Sequence, residues 1–321
     1  MPRNPRVLHI GNPANVAAEL RSGLAATGKA ECLVFETHNN HLQFAEDVRF
    51  SWDWVFSRPG RALRHASYGL LLKTLMDAAD LIHVHTSGTW TVAAQRWARN
   101  RGKPVIRHFH GEEVRAGGVE VECRRADAIL VATPDLLGRL PTEARGRARW
   151  IPNPWRFSPM PPEAKHAGTV RVVHAHLRNP SYAHVFGSET IRAAVNNLRL
   201  SGHDVTLDEV SGVTHQEALK RYAKADIAVD KLRIGWYGMF TVECVSMGVP
   251  VLAGIAPDLR SLDPPVLPVN ESSLGEALES LVRDQSQRRQ LAEQLFSRAR
   301  AMHDTEIVAS RVAATYESLL G

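Results

Sequence analysis

The stretch ADIAVDKLRIGWYGMFTVECVSMGVPVLAG, residues 225–254, gathers most of the residues that could do chemistry. Gly238 stands where a loop turns into a helix, and Gly248 can end that helix in a left-handed conformation before Pro250 opens the next strand. The first amides of a helix have no partner inside it, and the positive end of the helix dipole lies behind them. The amides of Met239, Phe240 and Thr241, with Gly238 at the turn, are therefore candidates for holding a phosphate. Glu243, one turn further on, can accept hydrogen bonds from vicinal hydroxyls such as those of a ribose. The plain alternative is a loop entering a helix with Glu243 merely exposed. Cys244, among small apolar neighbours, reads as core.

Histidine is the second informative residue type. Fifteen occur, with pairs at His83 and His85, His108 and His110, and His174 and His176. Residues i and i+2 of a strand share a face, so each pair can present two imidazoles together. A metal site would need neutral imidazoles joined by carboxylates from other strands, and no E-x-x-H or D-x-H pattern is evident at these pairs. No metal is implied, a metal-dependent hydrolase stays as a minor alternative, and a hydrogen-bonded strand-end histidine is the plain reading of each.

The elements that must position these residues alternate between β-like runs and amphipathic stretches. In the first half, strands are expected at residues 6–11, 31–36, 81–85, 104–110, 128–133 and 148–153, with helices at 16–27, 61–79 and 91–100. In the second half, strands fall at 169–176, 205–210, 226–230 and 250–254, with helices at 188–201, 215–224 and 239–247. From Ser273 the chain reads as mostly helical, broken near His303 and Asp304. The proline-rich segment between the halves reads as a linker. Tandem α/β units of this kind place ligands at the carboxyl ends of their strands, with a cleft expected between them.

The chain has 321 residues, enough for two domains with cores of their own. At 44% hydrophobic and 23% charged it is ordinary for a globular protein, with no apolar run of membrane-spanning length and no secretory leader pattern. Its three separated cysteines, Cys32, Cys123 and Cys244, read as reduced thiols, which suits a cytoplasmic protein. The net charge of +5 is uneven: residues 1–150 carry 21 basic and 15 acidic side chains, giving +6, and residues 151–321 carry 18 and 19, giving −1. The basic excess allows peripheral contact with an anionic membrane face, whereas no nucleic-acid motif accompanies it.

The run GWYGMFTVECVSMGVPVLA resembles the signature of retaining glycosyltransferases of the GT-B type, above all glycosyltransferase family 4. IPNPWRFSP at 151–159, ADAILVATPDLL at 126–137, HFHGEEVR at 108–115 and HIGNPANVAAELRSGLAATGKA at 9–30 are similar to further family segments. The resemblance implies two doubly wound Rossmann-like α/β domains facing across a cleft. The first would cover residues 1–155 on the acceptor side and the second residues 169–303 on the nucleotide-sugar side. A linker at 156–168 would join them, and a helix at 304–321 would pack back on the first. It implies transfer of a sugar, with retention and without a metal or cofactor, from a nucleotide-diphosphate sugar to a glycan, lipid-linked or small-molecule hydroxyl.

By the same resemblance Glu243 binds the ribose, Arg178 clamps the diphosphate, Gly11 and Asn12 form a phosphate-facing loop, and His110 or His85 faces the donor sugar. Two departures stand out. The family's first motif glutamate is replaced by Gly235, and its phosphate lysine is missing, with His184 or Phe186 near its place. A degenerate member that binds nucleotide or glycan without turnover is the alternative reading.

Overall fold

The computed structural model describes residues 3–36, 48–49, 58–161, 168–176 and 183–321. They fall into two units, Met1–Pro154 with Thr305–Gly321, and Trp155–Asp304.

The first unit carries seven strands: β1 (Arg6–Ile10), β2 (Glu31–Glu36), β3 (Val48–Arg49), β4 (Leu81–Val84), β5 (Val105–Phe109), β6 (Ala128–Val131) and β7 (Ala148–Trp150). Their order is β3-β2-β1-β4-β5-β6-β7, and every neighbouring pair is parallel. Parallel neighbours need crossovers. These run through α1 (Val16–Ala26), α2 (Arg58–Ala78) and α3 (Thr89–Asn100), and through the short helices α4 (Glu112–Arg115), α5 (Glu120–Arg125) and α6 (Thr142–Arg145).

Strands covered on both sides must be apolar on both faces. Val7, Leu81, Ile106 and Leu130 meet Leu20 and Leu24 of α1 on one face, together with Val308, Val312 and Tyr316 of the last helix, Thr305–Leu320. On the other face Leu8, Ile10, Ile82 and Val84 meet Tyr68, Leu72 and Met76 of α2 and Ala94 and Ala98 of α3. The strand order reverses between β1 and β4, and the carboxyl ends at such a reversal are where open α/β sheets take their ligands.

The second unit has the strands β8 (Val170–Ala175), β9 (Val205–Val210), β10 (Ile227–Val229), β11 (Val251–Ala253) and β12 (Leu267–Pro268), in the parallel order β12-β11-β10-β8-β9. Its helices are α7 (Ala183–Phe186), α8 (Ser188–Leu200), α9 (His215–Tyr222), α10 (Met239–Ser246), α11 (Leu274–Arg283) and α12 (Gln285–His303). Val172, Ile227, Val229 and Leu252 are enclosed by Ile191, Val195 and Leu198 of α8 and Leu274 and Leu278 of α11. Here the order reverses between β8 and β10.

The run 148–153 shortens to β7 because Pro152 and Pro154 cannot donate to a ladder. The second unit opens at Trp155, whose amide bonds the His303 carbonyl at 2.7 Å, rather than after a linker at 156–168. Residues 162–167 of that segment lie outside the described residues. The helical break falls at Asp304, which ends α12 before the last helix, α13 (Thr305–Leu320), begins. Among the described residues no helix is long and apolar enough to cross a membrane.

Candidate functional site

In the second unit Asp230 follows β10 directly and is 1% exposed. Its Oδ2 accepts hydrogen bonds from the Gly238 amide at 2.8 Å and the Thr241 hydroxyl at 2.7 Å, and its Oδ1 from the Lys231 amide at 2.8 Å. This buried carboxylate caps the turn into α10 and fixes the helix to the strand end, where the positive end of the dipole favours it. The Gly238 amide is thus spent on Asp230, and the Thr241 amide bonds the Gly238 carbonyl at 3.1 Å. Of the four residues expected at a phosphate, Met239 and Phe240 keep amides that make no hydrogen bond among the described residues.

Glu243 lies one turn along and is buried, with one carboxylate oxygen 2.9 Å from Nε2 of His215 on α9. Burial pushes its carboxyl above the usual range, and the His215 bond opposes that shift. Gly235, at the position of the missing glutamate, has φ +83°, and a Cβ there would come within 3.2 Å of the Ala256 Cβ. A left-handed backbone favours glycine, so the departure from the family pattern is built into this loop.

Arg178 lies outside the described residues, as does the His184 side chain. Phe186 is 6% exposed, and its ring meets those of His174 and His176 edge-on. A lysine there would be buried against two imidazoles. The cation near α10 is instead Lys231, whose Nζ would lie 2.7 Å from a Cβ placed on Gly238. Sequence reading missed both Lys231 and Asp230. The signal was present, since a charged pair closing a strand, eight residues before a helix-opening glycine, is the pattern of a side chain that caps that helix.

In the first unit Gly11 has φ +86°, and a Cβ would collide with Thr86 Cγ2 at 2.1 Å, so glycine is needed where the ends of β1 and β4 approach. Its amide bonds the Phe35 carbonyl at 2.8 Å. The Asn12 amide donates to Glu36 Oε2 at 3.0 Å, and Asn12 Oδ1 accepts from the Ala18 amide at 3.2 Å. These groups brace the turn into α1. A carboxylate already sits on the amide expected to face a phosphate, and both loop amides are spent within the unit.

The same unit brings five histidines together on the sheet face covered by α1 and α13. His9, His83, His85 and His108 are 0–1% exposed, and His110 is half-buried at the end of β5. Neighbouring rings lie close, with centroids 4.2 Å apart for His83 and His85 and 4.4 Å for His108 and His110. His110 Nδ1 lies 3.2 Å from Asn153 Oδ1, an acceptor, so Nδ1 carries the hydrogen. His110 Nε2 then accepts from His85 Nδ1 at 3.1 Å, and His85 Nε2 from His9 Nδ1 at 2.9 Å. Both ring nitrogens of His85 and of His110, the two residues expected at the donor sugar, are therefore engaged within the unit. His83 Nδ1 meets the Tyr316 hydroxyl of α13 at 2.7 Å. Burial holds His83, His85 and His108 well below the ordinary imidazole value of 6.5, and brings His110 to about 4 against the opposing charge of Glu113.

Behind the column Arg107 is wholly buried, with Nε 2.5 Å from Glu122 Oε2 and Nη2 2.6 Å from Ser87 Oγ. Glu113 accepts from the amides of His110 and Gly111 at 2.7 and 3.0 Å. It thereby closes the turn after β5.

Comparison with known proteins agrees with this architecture. The model of Glycosyltransferase Family 4 matches residues 13–158. Among solved structures the chain is similar to sucrose-phosphate synthase from Thermosynechococcus elongatus, with 18% identity over 98% of this chain and 99% of that one and a TM-score of 0.60. It is also similar to S. aureus MnaA in a structure with UDP, at 13% identity over 98% and 97% of the two chains and a TM-score of 0.58. A third is the UDP-GlcNAc 2-epimerase from Neisseria meningitidis bound to UDP-GlcNAc, at 14% identity over 98% and 100%, with a TM-score of 0.55. No curated protein matches the chain by sequence.

Proposed function

We propose that this chain, which resembles glycosyltransferase family 4 and has the GT-B fold, transfers a sugar from a nucleotide-diphosphate donor to an acceptor hydroxyl, its second unit holding the nucleotide. Glu243 carries the reading: a buried carboxylate, oriented by His215, one turn beyond the open amides of Met239 and Phe240. In that arrangement Glu243 takes the ribose hydroxyls. The two amides, Lys231 and Arg178 take the diphosphate and stabilise its charge as it leaves. Transfer proceeds with retention, and the +6 charge of residues 1–150 suits an anionic or lipid-linked acceptor in glycan, polysaccharide or glycolipid synthesis.

Thermal unfolding in the presence of UDP, GDP, ADP and their sugars tests this reading, because a ligand at 100 times its Kd stabilises the folded state by about 2.7 kcal/mol. Glu243→Ala should weaken the binding of the active nucleoside diphosphate tenfold or more, the equivalent of about 1.5–3 kcal/mol for charge-assisted hydrogen bonds. Undiminished binding by that variant would show the assignment to be wrong.

Gly235 favours a second reading, because no carboxylate stands where the family contacts the donor sugar. A binding-only protein would take up the nucleotide sugar and leave it intact. A transferase would hydrolyse it slowly without acceptor, and an epimerase sharing the fold would return it as the epimer.

A further inference from the structure

Three of the five clustered imidazoles, those of His85, His108 and His110, offer ring nitrogens that all lie within 4.8 Å of one another. They come from adjacent parallel strands: Val84 pairs with Arg107, so the next residues, His85 and His108, stand side by side, and His110 repeats the face of His108. We propose that these three histidines form a site for one divalent first-row transition ion such as Zn²⁺ or Co²⁺, held by three imidazole nitrogens with its remaining position open to water.

Four observations support the site. His108 is 0% exposed, and neither of its ring nitrogens makes a hydrogen bond among the described residues, although the Ile151 backbone lies close enough to favour a proton on the ring. A buried imidazole left in that state is costly, and a coordinated ion removes the cost. Secondly, His110 donates its Nδ1 hydrogen to Asn153, which leaves Nε2 as the lone-pair nitrogen and fixes the ring. An outer carbonyl acceptor of this kind is the usual partner of a metal-bound histidine. Thirdly, the three rings face one another closely, with centroids 4.4 Å apart for His108 and His110, 5.3 Å for His85 and His108 and 5.4 Å for His85 and His110. Finally, two carboxylates stand beside the site for one cation: Arg107 lies 2.5 Å from Glu122 and 4.0 Å from Glu113, whose carboxylate also holds the amides of His110 and Gly111.

Three nitrogens at about 2.0–2.1 Å from an ion lie roughly 3.4 Å from one another, so the rings need only close up from their present spacing. The hydrogen between His85 Nδ1 and His110 Nε2 gives way to the ion. His85 then carries its hydrogen on Nε2, donated to His9 Nδ1, and His9 carries its own on Nε2, so no proton leaves the protein. The deeper trio of His9, His83 and His85 is fully enclosed, and its His9 and His83 are tied to His85 and Tyr316. Among the three proposed ligands His110 is the one that is partly exposed. The ion is imidazole-selective and borderline in softness, which distinguishes it from Mg²⁺ or Ca²⁺.

The test uses the full-length chain without a histidine tag, stripped by chelator and returned to chelator-free buffer. Co²⁺ titration followed by visible absorption, and Zn²⁺ content after gel filtration, should each give one equivalent per chain, with Mg²⁺ unable to compete. His110→Gln, at a partly exposed position, and His108→Asn should each weaken Co²⁺ binding at least 100-fold. His174→Asn in the other unit should keep the full equivalent. Circular dichroism of each variant establishes that it is folded. Less than one equivalent in the parent, or unchanged affinity in a folded His110→Gln protein, overturns the proposal. Either outcome leaves the nucleotide reading of the second unit untouched, because the two rest on different residues.

Discussion

Both units have parallel sheets whose order reverses beside the first strand, yet they use those strand ends differently. In the first unit most of the polar groups there satisfy one another, His108 excepted: His9, His85, His110 and Asn153 form a chain, and the Gly11 and Asn12 amides are spent on Phe35 and Glu36. In the second unit Asp230 caps the turn, Glu243 is tethered to His215, and Lys231 and the amides of Met239 and Phe240 stay at the mouth of α10. The same topology thus gives one strand end lined by imidazole nitrogens, most of them bonded to one another, and one that carries an ammonium and two open amides. A motif match alone does not separate the two, because glycine loops open both sites.

The sharpest way to break this contrast is to remove the buried cation of the first unit. Arg107→Met would leave Glu122 charged and enclosed, and the loss in urea unfolding should be about 3–5 kcal/mol, the cost of breaking a buried pair. A loss below about 1 kcal/mol would show that the network does not stiffen this unit.

The histidine column should also make stability depend on pH. His83, His85 and His108 stay neutral in the fold but take up protons near pH 6.5 once unfolded, so the unfolded state binds more protons as pH falls. Stability should be fully present above pH 6.5 and fall below it, by roughly 1 kcal/mol per imidazole between pH 6.5 and 5.5. Chemical denaturation of the chelator-treated protein at the two pH values measures this. A flat profile would mean that these rings charge in place.

The second unit's openness is sharpened by Lys231. Lys231→Ala should weaken a nucleoside diphosphate by about 1.5–3 kcal/mol while leaving the nucleoside unchanged, since the ammonium acts only on the phosphates. Calorimetry with both ligands separates this from a general loss of structure, which would weaken the two alike. A smaller effect is expected at Gly235. Restoring the family's carboxylate with Gly235→Glu should cost about 1–2 kcal/mol of stability, because the φ of +83° disfavours any side chain. A more stable variant with faster turnover would show that the loop adapts.

Glu243 is legible in the sequence because its helix is announced by local chemistry, Gly238 at the turn and Gly248 before Pro250. His83 and His85, and His108 and His110, are legible as pairs because strand periodicity is local. Their convergence with His9 is not, since residue separations of 76 and 25 are bridged only by the pairing of β1, β4 and β5. Phe186 shows the converse: it stands close to a family position in sequence, but its ring is buried against His174 and His176 and leaves no room for an exposed cation.

By itself the sequence determined the alternation of strands and helices, the two-unit plan and the helix-opening turn at Gly238, all of which follow from apolar periodicity and from the conformational limits of glycine and proline. Tertiary structure decided which polar groups remain available. Asp230 consumed the Gly238 amide, Glu36 consumed that of Asn12, and five imidazoles met on one sheet face beneath α1 and α13. The physical reason is that a hydrogen bond or a desolvated charge depends on distances of a few ångströms between residues far apart in the chain, and strand order alone sets those distances.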